Sequence, residues 1–303
     1  MKTKLPAAIP AAFHGVFAAL VTPLQANDEV DFARLASFAG HLVEQGVHGL
    51  IPLGSTGEYY ALSADERERV LRVTLEAVAG RVPVLAGANA GSTRDVVAFS
   101  RQAEALGCAG VMLSAPYYSL PRPEELYVHF RTVSDAIGIP IMLYNYPGRT
   151  GVDMSPALIE RLAGLKNVRY VKESTGEMPR VTELLRRCGG RLGVFCGCDT
   201  IALESLMVGA VGWIGGVVNV LPAEHVKLYA LTVVKRDYAA ARKLFFAMLP
   251  VLELMENGGK YTQWVKAACG IMGHDCGAPR RPLGPATKAE CALLRKTLRL
   301  AAG

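Results

Sequence analysis

Val168-Arg169-Tyr170-Val171-Lys172-Glu173-Ser174-Thr175-Gly176 reads as a short apolar strand that runs out into a turn. Lys172 stands where the strand should end. An ammonium in an apolar setting costs free energy unless it is paired or gives up its proton. A lysine held against apolar walls has its charged form disfavoured, and the free amine can attack a carbonyl to form a Schiff base. Two plainer readings compete, an ion pair with Glu173 and a side chain that snorkels from the strand end to water.

Outward from this strand the chain repeats one pattern. Strand candidates lie at Val16–Val21, Gly49–Leu53, Val82–Ala86, Gly110–Ser114, Ile139–Tyr144, Val168–Lys172, Gly193–Cys196 and Gly212–Ile214. Most are short and rich in Val, Ile and Leu, as buried parallel strands are. Amphipathic helical stretches separate them. Ser63-Ala64-Asp65-Glu66 is a capping box whose helix ends near Gly80, Ser92 or Thr93 opens a helix that closes at Gly107, and Ser155-Pro156 starts one that stops at Gly164. Eight strands alternating with helices predict an α/β fold, a closed (β/α)8 TIM barrel, with an open doubly wound sheet as the runner-up. Beyond the eighth strand, Pro222–Val234, Asp237–Glu256, Tyr261–Gly270 and Thr287–Leu300 all read as helices. The expected organisation is an N-terminal extension over 1–15, the barrel over 16–234 and a C-terminal helical extension over 235–303.

The 303-residue length suits such a barrel, and 51% hydrophobic residues with 31 glycines suit buried strands joined by many turns. A net charge of +6 without a dense Lys/Arg run argues against a nucleic-acid partner and favours a small anionic substrate. The 7 cysteines form no framework spacing, so the expected compartment is reducing and cytoplasmic. Cys196-Gly197-Cys198 lacks the second cluster that a zinc site needs, so no metal is expected. Lys2 and Lys4 before an Ala/Pro-rich run imitate a secretory signal faintly, but Pro6, Pro10 and His14 interrupt it, and no stretch is apolar for long enough to span a membrane.

In barrels of this kind chemistry sits at the C-terminal ends of the strands. After the second strand comes Gly54-Ser55-Thr56-Gly57-Glu58, whose small residues and amides suit a carboxylate or phosphate. Tyr117 and Tyr118 follow the fourth strand. Tyr144 ends the fifth, followed by Asn145, Pro147 and Arg149, and Lys172 ends the sixth. Gly197, Cys198 and Asp199 follow the seventh, and Ile214, Gly215 and Gly216 close the eighth. Singly these read as turns or rim packing. Together they supply an amine, phenols, a hydroxyl, an anion-binding loop and a guanidinium, the parts that carbonyl chemistry on a keto acid requires. Lys172 would form the Schiff base, Tyr144 would shuttle protons, Ser55 would link Tyr144 to a second Tyr, and the substrate carboxylate would sit on the Ser55 and Thr56 amides.

GSTGE at 54–58, PYY at 116–118, YNYPGRTG at 144–151 and VKESTG at 171–176 resemble the dihydrodipicolinate synthase / N-acetylneuraminate lyase family of class I, pyruvate-dependent aldolases. The resemblance runs from about Val16 to the last helix. It implies a Schiff-base role for Lys172, a proton relay of Tyr144, Ser55 and Tyr118, with Tyr118 entering from a neighbouring subunit, and pyruvoyl carboxylate binding by Thr56 and the Gly54 loop. Arg149 falls where the synthase branch binds the carboxylate of its second substrate, and Ile214 where the family places a backbone carbonyl. Also implied are keto acid and aldehyde substrates, no metal or organic cofactor, and a homotetramer built as a dimer of dimers, or a homodimer.

Departures bear on the substrate. Ser55 resembles the lyase branch more than the Thr usual in synthases, and Cys198-Asp199-Thr200 matches neither branch. Where the lysine feedback site of bacterial synthases has His, Asn and Glu, this chain has Arg67, Gly91 and Asp95. Arg149 puts condensation of pyruvate with L-aspartate 4-semialdehyde first, ahead of a 2-keto-3-deoxy sugar acid aldolase or dehydratase and an N-acetylneuraminate lyase. A phosphate-sugar isomerase or a metal-dependent aldolase would need histidines at strand ends. His14, His41, His48, His129, His225 and His274 all lie elsewhere.

Overall fold

The computed structural model describes residues 13–301, so most of the expected N-terminal extension lies outside the described residues. Eight strands run in chain order: β1 Gly15–Ala18, β2 Gly49–Leu50, β3 Leu85–Gly87, β4 Gly110–Ser114, β5 Ile141–Asn145, β6 Val168–Glu173, β7 Gly193–Cys196 and β8 Gly212–Gly215. Their order in the sheet is β2-β1-β8-β7-β6-β5-β4-β3, with parallel neighbours throughout. A parallel bridge between Leu50 and Val84 joins the two ends of that order, and the sheet closes into a (β/α)8 barrel.

Side chains alternate across each strand, and the alternation assigns every residue a side. Phe17, Ile51, Leu85, Met112, Met142, Tyr144, Tyr170, Phe195 and Ile214 form one buried cluster, the filling of the barrel. The larger cluster lies between the strands and the outer helices, with Val16, Leu50, Val111, Leu143, Val171 and Val194 among its members. Two positions lack a side chain because an aromatic ring occupies the space: a Cβ at Gly49 would stand 2.1 Å from the Phe17 ring, and one at Gly212 2.4 Å from the Phe195 ring.

Helix starts follow the sequence signals. Ser63 caps Ala64–Val78, and both halves of its capping box with Glu66 form, at 3.2 and 2.8 Å. Ser92 caps Thr93–Ala105, and Ser155 caps Pro156–Leu162. Strand ends differ more. Expected from Val82 and Ile139, β3 and β5 begin after Pro83 and Pro140, because a residue without an N–H cannot donate to the ladder. Expected to reach Leu53, β2 stops at Leu50, since Leu53 adopts a left-handed φ of 61° and the chain turns there. The helix that begins at Pro222 is regular to Tyr229 and then widens into a π-helical turn over Ala230–Val234.

The C-terminal helices Tyr238–Asn257, Tyr261–Ile271 and Lys288–Ala301 pack on one another, and the first reaches the short turn Asp199–Ile201 that follows β7. A buried ion pair ties this extension to the barrel. Lys266 Nζ donates to Glu58 Oε1, to the Thr22 carbonyl and to the Ala278 carbonyl, each at 2.9 Å. The other Glu58 oxygen accepts the Arg280 N–H at 2.7 Å, so the loop after β2 is held from the far end of the chain. Among the described residues no helix is long and apolar enough to cross a membrane.

Candidate active site

Tyr170 belongs to the filling of the barrel, so Lys172, two residues on, also points inward, at the upper end of β6. It is 5% exposed, and its Nζ lies 4.4 Å from the centroid of the Tyr144 ring without a hydrogen-bond partner among the described residues. Both plain readings of Lys172 fail here. The side chain is buried and opens only onto the cavity rather than the outer surface, and Glu173, on the opposite face, accepts from the Thr175 N–H at 2.8 Å and the Asn145 amide at 3.1 Å. Burial lowers the Lys172 pKa from 10.5, against the pull of Asp199 and Glu256.

Register places Tyr144 of β5 beside Lys172, with Phe195 of β7 on the other side. Tyr144 is buried, and its hydroxyl stands 3.5 Å from Ser55 Oγ. Burial pushes the phenol up to about 12, while the contact with Ser55 works the other way. Ser55 and Thr56 reach the same cavity from the loop after β2. That loop owes its course to Glu58, which takes a left-handed φ of 57°, and to Gly57, whose missing Cβ would stand 2.8 Å from the Leu20 carbonyl.

One cavity is lined by Ser55, Thr56, Tyr144, Arg149, Lys172 and Ile214, six of the eight residues expected from the sequence. The remaining two, Gly54 and Tyr118, are not part of it. Gly54 is buried behind the loop, where a Cβ would touch Met112 at 3.5 Å. Tyr118 is 96% exposed on the surface after β4, at a left-handed φ of 70°. Tyr117 lines a second cavity that shares Ser55, Tyr144 and Arg149 with the first. Arg149 sits in the one-turn helix Pro147–Thr150 at the mouth of both and forms no ion pair among the described residues.

The sequence reading missed one wall of the site. Glu256 and Tyr261 line the same cavity although both belong to the C-terminal extension. Tyr261 donates to Asp199 Oδ2 at 2.5 Å and accepts the Gly216 N–H at 2.9 Å. The other Asp199 oxygen accepts from Trp213 Nε1 at 2.8 Å. Burial raises the Asp199 carboxyl, and its two donors and Lys172 oppose the rise. Burial and the neighbouring Asp199 push Glu256 up to about 7. The one signal in the sequence was an acid that ends an apolar helix just before Gly258-Gly259. Among the described residues no three of His, Cys, Asp and Glu stand close enough to hold a metal ion.

Comparison with known proteins bears on the family and the fold. The family model described as the dihydrodipicolinate synthetase family matches residues 12–301. The 4-hydroxy-tetrahydrodipicolinate synthase of Pelobacter propionicus is 37% identical over 286 residues, 93% of this chain and 98% of its own. That of Thioalkalivibrio sulfidiphilus is 41% identical over 212 residues, 70% and 72% of the two chains. Among solved structures, a putative dihydrodipicolinate synthetase from Pseudomonas aeruginosa superposes with a TM-score of 0.92 at 36% identity, covering 96% of this chain and all of the other. The dihydrodipicolinate synthase from Acinetobacter baumannii complexed with pyruvate superposes with a TM-score of 0.90 at 31% identity, over 95% and 99%. With match and fold both spanning nearly the whole described chain, this protein belongs to the dihydrodipicolinate synthetase family and is a (β/α)8-barrel lyase.

Proposed function

We propose that this enzyme binds pyruvate as an imine on Lys172 and condenses it with L-aspartate 4-semialdehyde. The observation that carries the reading is a buried lysine that, among the described residues, has no hydrogen-bond partner, facing the Tyr144 ring in a cavity also lined by an arginine that forms no ion pair among those residues. The pyruvate carboxylate rests on the Ser55 and Thr56 amides. The free Lys172 amine attacks C2, and Tyr144 supplies and removes the protons by which the carbinolamine loses water. Loss of a C3 proton gives the enamine, whose C3 attacks the aldehyde carbon. Arg149 holds the carboxylate of the second substrate with a guanidinium fork. No step calls for a metal or organic cofactor. The similarity to synthases of this name supports the choice of aldehyde.

Tyr118 joins the relay only across a subunit contact, and its exposure fits a homodimer or a homotetramer in the cytoplasm. A second reading keeps the imine but exchanges the partner for a 2-keto-3-deoxy sugar acid; Glu256 and Thr262 in the cavity wall favour it, because such groups can hydrogen-bond a polyol. Borohydride reduction in the presence of pyruvate tests the chemistry common to both. Mass spectrometry should find the adduct on Lys172. An adduct on Lys166, or on no lysine, ends the reading.

A further inference from the structure

Asp199, Glu256 and Tyr261 form an acidic wall to which the condensation steps above give no proton-transfer role. Lys172 lies on β6 between Tyr144 of β5 and the turn after β7, so this wall faces the flank of Lys172 opposite Tyr144. Asp199 is already engaged, with one oxygen on Trp213 and the other on Tyr261. The Tyr261 hydroxyl is spent between Asp199 and Gly216. Cys198 Sγ lies 3.4 Å from the Thr200 hydroxyl, and burial pushes the thiol up to about 12. Glu256 interacts with Cys198 and the Asp199 backbone. It reaches the cavity from the last turn of Tyr238–Asn257 and forms no ion pair among the described residues, since Lys260, the nearest cation in sequence, is held by Glu290 at 2.8 Å.

We propose that Glu256 is a second acid-base group, which moves the proton at the oxygen of the second substrate while Tyr144 serves the imine. The assignment rests on the imine reading of Lys172. In condensation, the enamine C3 bonds to the aldehyde carbon and the carbonyl π pair moves onto its oxygen. That oxygen takes the proton from the Glu256 carboxyl, which is left as carboxylate, while the enamine becomes an iminium. In cleavage the same steps run backwards: the carboxylate takes the hydroxyl proton as the carbon–carbon bond breaks.

The groups that act on Glu256 are Asp199 and Cys198 after β7, Lys172 of β6, Tyr144 and Tyr146 at the end of β5, and Tyr261. Burial and the neighbouring Asp199 push the Glu256 pKa up to about 7, while Cys198 and Lys172 pull the other way. The acid is thus poised where proton transfer in both directions is efficient.

The test compares wild type, Glu256→Gln and Glu256→Asp in two assays. The first is borohydride trapping with pyruvate. The second is turnover against pH, using L-aspartate 4-semialdehyde with pyruvate and, in parallel, cleavage of 2-keto-3-deoxygluconate. Glu256→Gln should trap pyruvate on Lys172 in wild-type yield, yet lose about 10²- to 10⁴-fold in kcat. In wild type, condensation should slow as pH rises through about 7, or cleavage should quicken. That limb should vanish in the Gln variant and return in part in Glu256→Asp. The proposal is overturned by kcat within threefold of wild type with the limb intact, by loss of pyruvate trapping in the Gln variant, or by a wild type that turns over neither substrate. Failure of wild type itself to trap pyruvate defeats the imine reading instead, whatever Glu256 does.

Discussion

Two lysines are buried among the described residues, and they are built for opposite ends. Lys266 is 1% exposed and gives its three protons to one carboxylate and two carbonyls, all at 2.9 Å. Lys172 is 5% exposed and has an aromatic face at 4.4 Å, with the cavity in front of it. Burial lowers the pKa of both, and carboxylates oppose the fall at both, but only at Lys266 does a hydrogen bond to its carboxylate, Glu58, add to that opposition. Burial alone therefore does not make a nucleophile. A saturated ammonium is a structural cation, whereas one without acceptors has every reason to release its proton.

Replacing each lysine by methionine, close in shape but without charge, should separate the two cases. Lys172→Met should lose turnover on the order of 10⁶-fold, the scale of removing a nucleophile, with no pyruvate adduct. Its thermal stability should match or exceed that of wild type. The folded chain holds the Lys172 proton less firmly than the unfolded chain, whose lysines titrate near 10.5. The penalty on folding is thus complete below the lowered folded-state pKa and fades as pH rises from there towards 10.5. The stability gap between variant and wild type should close over that window in denaturant melts. A variant less stable than wild type at pH 7 would mean that Lys172 has acceptors after all.

Tyr144→Phe should leave the amine in place and slow turnover by roughly 10²- to 10⁴-fold, with pyruvate affinity little changed. Near-normal turnover would take the relay away from Tyr144. Lys266→Met should act on stability instead, costing about 3–5 kcal/mol, because Glu58 is left buried and unpaired. Adding Glu58→Gln should recover part of that loss, and trapping per folded molecule should persist in both. The smallest effect belongs to Arg149→Lys, which should weaken the second substrate by about 1–3 kcal/mol, the range for hydrogen bonds to charged groups. Pyruvate trapping should not change. Equal impairment of pyruvate and every aldehyde would make Arg149 an anchor of its loop.

The difference between the lysines also marks how far the sequence could be read. Lys172 was legible because it interrupts an apolar strand and because period-two alternation fixes its side of the sheet once Tyr170 is inside. Ser55, Thr56, Tyr144, Arg149 and Ile214 were legible for the related reason that strand ends of a closed barrel converge. Lys266 and Glu256 were not. Each sits on a helix whose periodicity identifies an apolar face but not the neighbour that the face will meet, and their partners lie far away in sequence. The shortened starts of β3 and β5 were written in Pro83 and Pro140, which cannot donate to a ladder.

The Glu58 clasp has a consequence for how the enzyme comes into being. Glu58 is made early, but Lys266 and Arg280 follow it by 208 and 222 residues. On a ribosome the eight strands can be complete while the loop bearing Ser55 and Thr56 still lacks its anchors, and Glu256 is likewise translated after β8. A nascent barrel is therefore a shell around an unfinished site. The loop gains its last anchor only when translation has passed residue 280.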